Sequence, residues 1–451
     1  MNGKRNRNPG NTTTSNNEKN SFLSLLSEDI WAVWIGGLLI VAILAIAFLS
    51  PGLTFTTPVY QWSSRDDLVG KVLAPANLLL LVIIGLAFFL LSLIAVAAAG
   101  GNVKNYTAGF ALIFVVGVTS LIIAGNKSIS YYGIEYVIFA LLIGLLLSNV
   151  FRLPGWLKEA ARSEFFIKTG LVILGTSILF TDIVKAGLPG ILQAVLVVAV
   201  VWFFALWLSR KLKVDDEFGV ILASAVSICG VSAAIVASGA IKGDKNKLSY
   251  ITTLVLLVAI PMLILMPWVI KEMGIAEVVG GAWLGGTLDT TASVTAAAEL
   301  VGPAATKAGV IVKFSQNVLI GVAAFFIAAW WIWRKPGATN ENNEKPSLKL
   351  IWERFPKFVL GFIAASLLFS FLIPAATGKQ VSGILNSLRT VWFAFAFVSI
   401  GLEARFADLF RMQGGRPALA FILAQVFNII WTLLWAWLLF GGVLFPSPEI
   451  K

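Results

Sequence analysis

Two stretches decide how this chain is read: Phe218–Ile241, FGVILASAVSICGVSAAIVASGAI, and Ile275–Leu300, IAEVVGGAWLGGTLDTTASVTAAAEL. Both are apolar enough to enter a membrane, yet both are rich in Gly, Ala, Ser and Thr. Backbone that is not continuous helix survives at membrane depth only where protein or a water-filled cavity satisfies its polar groups, and small residues permit the close packing this needs. The two stretches therefore predict broken or re-entrant helices, as in transporters built on interrupted helices. Ordinary helix–helix contacts would also use small residues, and such a chain would cross fully at both places.

The remainder of the sequence sets the solvent. Of 451 residues, 58% are apolar and 13% charged, against ~25% charged in soluble domains, so most of this chain is solvated by lipid. Histidine is absent and cysteine occurs once, at Cys229. Imidazole acid–base chemistry, His-dependent triads, His or Cys metal sites and disulfides are thereby excluded. The net charge of +11 is scattered through short loops, which fits membrane orientation and not a nucleic-acid stripe. No Gly-x4-Gly-Lys-Ser/Thr loop is present, so nucleotide-driven transport on this chain is not expected and no cofactor is implied.

Taking about 20 apolar residues per crossing, eleven spans stand out: Trp31–Ser50, Val72–Ala99, Tyr106–Ala124, Tyr132–Val150, Phe165–Thr181, Pro189–Ser209, Leu248–Ile270, Val310–Trp333, Phe358–Ala376, Leu388–Phe406 and Pro417–Phe440. The fold class expected is all-α and polytopic, with 11 to 13 membrane segments. Residues 1–29 read as a disordered cytoplasmic tail whose Ser27-Glu28-Asp29 starts the first helix. Residues 30–125 read as extra amino-terminal helices, 126–275 as a first repeat region and 276–445 as a second. Lys and Arg counts place the amino terminus inside, and the inside excess grows if both ambiguous segments re-enter, because Lys242, Lys245 and Lys247 then move inside. Phe165–Asp182 can be laid on Val391–Asp408, matching Gly175 to Gly401, Phe180 to Phe406 and Asp182 to Asp408, with Gly187-Leu188-Pro189 beside Gly415-Arg416-Pro417 at the start of the next helices. An odd number of helix steps separates the copies, the signature of an inverted-topology repeat.

Several side chains carry candidate chemistry. Ser227, Cys229, Gly230 and Ser232 belong to a backbone able to unwind and present N–H groups to an anion. Asp289 lies mid-segment, flanked by Thr287 and Thr290, where an ionised carboxylate costs ~2.5–3.5 kcal/mol unless paired, protonated or wet. It reads as a proton or cation site, or as a cap on a broken helix. Lys313, with Gln316 three residues on, brings a positive group for Asp289 or for an anion, or snorkels to the interface. Glu403 and Arg405 mark a break near the end of their span, and Lys168 and Glu135 read as orientation anchors.

The stretches SICGVSAAIVASGAIKGDKNKLSYITTLV, GGTLDTTASVTAAAEL, VIVKFSQ and VWFAFAFVSIGLEARF resemble the YeiH-type sulfate-exporter family of multispanning bacterial inner-membrane proteins, near the sodium/proton-antiporter and bile-acid-symporter-like superfamily. The likeness covers roughly Tyr132–Phe440. It implies a secondary active transporter of a small anion, sulfate or a related sulfur oxyanion, coupled to a proton or sodium and working by alternating access, possible as a homodimer. Two departures stand out. Asp289 and Thr290 occupy the positions of a family His and acidic residue, and Gln316 stands where the family follows its Lys with Arg. A cation/proton antiporter on the same scaffold is the nearest rival. An intramembrane enzyme would need Ser227 or Ser232 beside Lys313 as base.

Overall fold

The computed structural model describes residues 12–50, 54–131, 135–151, 153–241, 243–334, 352, 355–404 and 415–448, with side chains from residue 28 onward except those of 245, 332 and 334. Among the described residues the chain is helical, and its one β-bridge pairs Trp62 with Asn126. The main helices are α1 (Thr12–Leu49), α2 (Pro75–Ala98), α3 (Val103–Ala124), α4 (Tyr136–Val150), α5 (Ser163–Leu174), α6 (Phe180–Lys211), α7 (Asp216–Ser224), α8 (Val231–Ile241), α9 (Lys245–Glu272), α10 (Glu277–Thr287), α11 (Thr291–Val301), α12 (Pro303–Arg334), α13 (Lys357–Leu367), α14 (Ala375–Glu403) and α15 (Arg416–Phe440). Eight of the described helices are long and apolar enough to cross a membrane, while Tyr136–Val150 and Lys357–Leu372 are shorter.

Sequence explains which faces are lipid and which are core. In α2, Leu79, Val82, Leu86 and Leu90 are exposed at helical spacing, whereas Leu81, Ile84, Phe88, Ser92 and Ala95 are buried on the other face. Helix α14 is different, because Val391 to Val398 are buried all round. It forms the central post of one half of the molecule. Phe88 of α2 stacks on its Trp392 at 4.4 Å, and Phe110 of α3 meets its Phe395 edge-on at 5.5 Å. The amino-terminal helices are thus part of the core.

Several boundaries move from those expected. Helix α1 runs from Thr12, so the helix starts well before Ser27-Glu28-Asp29. Helix α14 starts at Ala375, not Leu388, because Pro374 ends the preceding segment and Val381, Ile384, Leu385 and Leu388 give the polar first turns a buried stripe. Pro189 lies inside α6 instead of opening it, while Pro417 does sit in the first turn of α15. The start of α6 is set by Phe180, whose N–H donates to Ser370 Oγ at 2.8 Å. Gly175 opens a 3-10 turn, whereas Gly401 stays helical, so these two matched positions differ locally. Arg405, Phe406 and Asp408 lie outside the described residues.

Contacts sort into two faces. On the amino-terminal face, Arg162 pairs with Glu28 at 2.7 Å, Asn102 N–H reaches Glu159, and Lys357 N–H donates to Asp29 at 3.0 Å. On the opposite face, Trp62 bonds to Gly125, and Ser366 Oγ donates to Ile178 O. Following the chain from these anchors brings the end of α6 to the amino-terminal face and the end of α9 to the opposite one.

The two ambiguous segments then turn back. Lys247, in the first turn of α9, reaches Asp215 at 2.7 Å and Glu217 at 3.0 Å, just before and within α7. Asp244 N–H also donates to Glu217. The base of α7–α8 is therefore tied on one face. In the other segment Glu277, opening α10, accepts from Ala304 N–H at 3.0 Å, just past α11. Both are hairpins, and they enter from opposite faces.

Burial works against the Asp215 charge, but the Lys247 ammonium and the Phe218 N–H outweigh it and hold this carboxyl below its ordinary range. A depressed carboxyl contributes stability above its unfolded value of ~4 and loses it as pH falls through the lower folded value. Acidification from about pH 6 to below ~4 is thus expected to lower the hydrogen-exchange protection factors at the α7–α8 base, taken against the intrinsic exchange rate at each pH. Asp215→Asn should exchange faster already at neutral pH and lose most of that pH response.

Candidate functional site

The tips of the hairpins meet. After α7 the backbone makes a π turn over Ala225–Cys229, closed by Gly230 N–H on Ala225 O at 2.9 Å, and Gly230 then reverses at φ 59°, ψ −113°. A Cβ there would stand 2.7 Å from Val255 Cγ1 and 2.9 Å from Asp289 Cβ. Only glycine accepts both that conformation and that approach. Opposite it, α10 ends at Thr287, and Leu288, Asp289 and Thr290 form the break before α11. Thr290 caps α11, its Oγ1 accepting from Ser293 N–H at 3.0 Å.

Interrupting two helices strands carbonyl oxygens at membrane depth, and each must find a donor. Lys313, 1% exposed, supplies a donor to one such oxygen in each tip. Its Nζ donates to Ile228 O at 2.8 Å in one tip, to Leu288 O at 2.7 Å in the other, and to Gln316 Oε1 at 3.0 Å. Gln316 passes its own N–H to Gly286 O. All three ammonium protons are used, so Lys313 is the tie between the tips and does not face an anion. Helix α15 completes the set. Gln425 donates to Thr287 O at 3.0 Å, and Asn428 spans Val226 O at 3.2 Å and Thr287 O at 3.3 Å. Thr432 donates to Asn428 Oδ1, and from α6 Gln193 donates to Ala282 O. Sequence reading alone did not single out Gln425, Asn428 and Thr432, although polar residues at i, i+3 and i+7 in an apolar span are a visible signal.

Not every polar atom is matched. Both carboxylate oxygens of Asp289, which is 2% exposed, and the hydroxyls of Ser227 and Thr287 are buried with no protein hydrogen-bond partner among the described residues. A hydroxyl–lysine dyad of the kind a nucleophilic enzyme needs is not assembled at Ser227. Glu403 is engaged: it accepts from Ser163 N–H at 3.0 Å and Ser163 Oγ at 2.7 Å, capping the start of α5.

A cavity of about 390 Å³ lies beside the tips. Cys229, Val231 and Ser232 from one hairpin and Thr290, Ala292 and Ser293 from the other line it, so the first turns of α8 and α11 both open onto it. Its far wall carries Arg162, Lys168 and Glu403. Among the predicted residues, Cys229, Ser232, Thr290 and Glu403 thus share the cavity, whereas Ser227, Gly230, Thr287, Asp289, Lys313 and Gln316 build the junction behind it. Lys168, expected as an orientation anchor, is buried in an ion pair with Asp29 at 2.9 Å. Glu135 sits at the N-cap of α4.

Fold and site together define a multi-pass helical membrane protein whose polar centre is the junction of two opposed hairpins. The chain matches the family described as conserved hypothetical protein 698 over residues 108–421, which takes in both hairpins, and it belongs to that family, the YeiH type its motifs resemble. It is 38% identical over 375 residues to a UPF0324 membrane protein of Rhodopirellula baltica, covering 80% of this chain and 68% of the relative. It is 37% identical over 388 residues to one of Nitratidesulfovibrio vulgaris, covering 83% and 65%. A UPF0324 membrane protein of Nitrosomonas europaea is 27% identical over 482 residues, covering 93% and 97%. The chain therefore spans about two thirds of the length of the first two relatives. No solved structure matches it.

Proposed function

We propose that the protein is a secondary active transporter of a small oxyanion, sulfate or a related sulfur oxyanion, in the bacterial inner membrane, with its amino-terminal face cytoplasmic. The observation that carries this reading is the pair of half-helix starts, α8 and α11, opening onto one cavity from hairpins of opposite entry. Each helix start is worth roughly half a positive charge, and its free N–H groups are preformed anion ligands. The cavity's side chains include three cations, Lys158, Arg162 and Lys168, and four carboxylates, Glu28, Glu159, Glu164 and Glu403. With ionised side chains close to balance, the helix starts supply the directed positive field. Alternating access follows if the hairpins, related as inverted repeats, exchange which one is sealed. Asp289 takes up the coupling proton or sodium, since it is a carboxylate at the junction with both oxygens buried and without a protein hydrogen-bond partner. With Glu403 engaged by Ser163, Asp289 is the stronger of the two coupling candidates.

The same orphaned carboxylate favours the second reading, a cation/proton antiporter in which Asp289 binds the cation itself. Equilibrium binding to purified protein in nanodiscs separates the two. Sulfate, sulfite or methanesulfonate should bind saturably, and Ser293→Ala should weaken binding about tenfold or more, the value of a hydrogen bond to a charged group. Asp289→Asn should leave anion binding in place and remove its pH dependence. Sodium binding that Asp289→Asn abolishes, with no anion bound by any variant, overturns the anion assignment.

A further inference from the structure

The first helix, α1, lies outside the family-matched region and reaches into the cavity. The match begins at residue 108, but α1 places Glu28 on the cavity wall and Asp29 directly behind it. This placement is closely packed: a Cβ on Gly36 of α1 would stand 2.8 Å from Val172 of α5, and Asp29 also accepts the Lys357 N–H that opens α13. What the two carboxylates touch are two cations of the far wall, the half-buried Arg162 and the buried Lys168. Glu28 Oε1 lies 2.7 Å from Arg162 Nη1, and Asp29 Oδ1 lies 2.9 Å from Lys168 Nζ.

The Arg162 guanidinium is a planar fork suited to a single oxyanion held through two parallel N–H bonds. Here the fork is divided, one arm to Glu28 and the other to Glu159 on the neighbouring short helix. Lys168 is likewise shared, with Asp29 close and Glu164 at 3.7 Å, while its ammonium sits 5.6 Å from the Phe358 ring centroid. Arg162 and Lys168 both line the cavity that reaches the hairpin tips.

We infer that Arg162 and Lys168 form a second oxyanion station on the amino-terminal side of the cavity, and that Glu28 and Asp29 of α1 occupy it in the absence of substrate. The α1 carboxylates act as tethered competitors. An arriving oxyanion displaces Glu28 from one arm of the fork, so the station holds substrate weakly and hands it on to α8 and α11. This inference rests on the anion reading above and adds a residue pair that sets affinity from outside the family-matched region.

The test is radiolabelled sulfate binding to the full chain in nanodiscs. Glu28→Gln and Asp29→Asn keep side-chain size and remove the competing charge, and each is expected to tighten sulfate binding roughly tenfold, about 1.4 kcal/mol. Arg162→Gln is expected to weaken it by a similar factor, and Glu28→Gln placed on Arg162→Gln to give no gain, because the competitor then has nothing to release. If Glu28→Gln fails to fold by circular dichroism, the Arg162→Gln measurement still decides. Sulfate bound equally by wild type and a folded Arg162→Gln variant overturns the station and leaves the transporter reading standing. Equal binding by wild type, Glu28→Gln and Asp29→Asn overturns the competitor role. Sulfate, sulfite and methanesulfonate all failing to bind any variant overturns the anion reading itself.

Discussion

Replacing Lys313 with Met is expected to destabilise the protein by about 3–5 kcal/mol, the scale seen when one partner of a buried charged cluster is removed. The cost arises on the backbone: Ile228 O and Leu288 O each lose their donor at a helix break, and Gln316 loses the partner that orients it towards Gly286 O. Lys313 is 1% exposed there, so bulk solvent does not reach the two carbonyls to replace the lost donor. Lys313→Arg is not expected to restore the wild-type state, because three acceptors around one ammonium do not match a planar fork. Thermal unfolding in detergent reads the loss. Cys229, the one cysteine of the chain, reads its location, since it lies in the tip beside Ile228 and is 6% exposed. Maleimide should label it slowly in wild type and much faster in Lys313→Met. A Lys313→Met protein with wild-type stability and labelling would mean that the tips are held by something else.

Gly230→Ala is the second large effect. A side chain at φ 59°, ψ −113° carries a strain of order 1–3 kcal/mol, and the new Cβ also meets Val255 at 2.7 Å and Asp289 at 2.9 Å. Both neighbours belong to packed elements, so the tips must separate to admit it. The same hairpin supplies its own control. A Cβ added at Gly239, in α8, would meet nothing within 4 Å, and Gly239→Ala should stabilise by roughly 0.5–1 kcal/mol through helix propensity. Opposite signs for the two substitutions, read by thermal unfolding and by Cys229 labelling, are the expected outcome. Equal, small effects would contradict the close contact at the tips.

The hairpins could be read from sequence because their peculiarity is compositional: small residues and hydroxyls replace Leu and Ile over whole segments. Their return to the same face was hinted at by Lys247, whose charge belongs on the amino-terminal face and which pairs there with Asp215 and Glu217. Lys313 was found as a residue but not as a tie, since the two partners that join the tips are backbone carbonyls and main-chain acceptors leave no mark in a sequence. Asp289 was visible as an intramembrane charge, whereas its lack of a protein partner is a fact of three dimensions. Glu28 and Asp29 read as an ordinary acidic helix start. Their place against Arg162 and Lys168 depends on α1 packing along α5, and no local pattern encodes that. Pro189 shows the reverse error: proline marks a helix start only when the preceding residues cannot already form the turn, and Phe180 to Leu188 can.

The most direct measurement of the central claim is counterflow in proteoliposomes. Vesicles loaded with unlabelled sulfate and diluted into a trace of labelled sulfate distinguish a carrier, which exchanges one for the other, from a pore, which only equilibrates. Transient accumulation of label above equilibrium is predicted for wild type, with loss in Lys313→Met and Gly230→Ala. Folded wild-type protein that shows no counterflow with sulfate, sulfite or methanesulfonate would contradict the assignment of the paired hairpins as an oxyanion carrier.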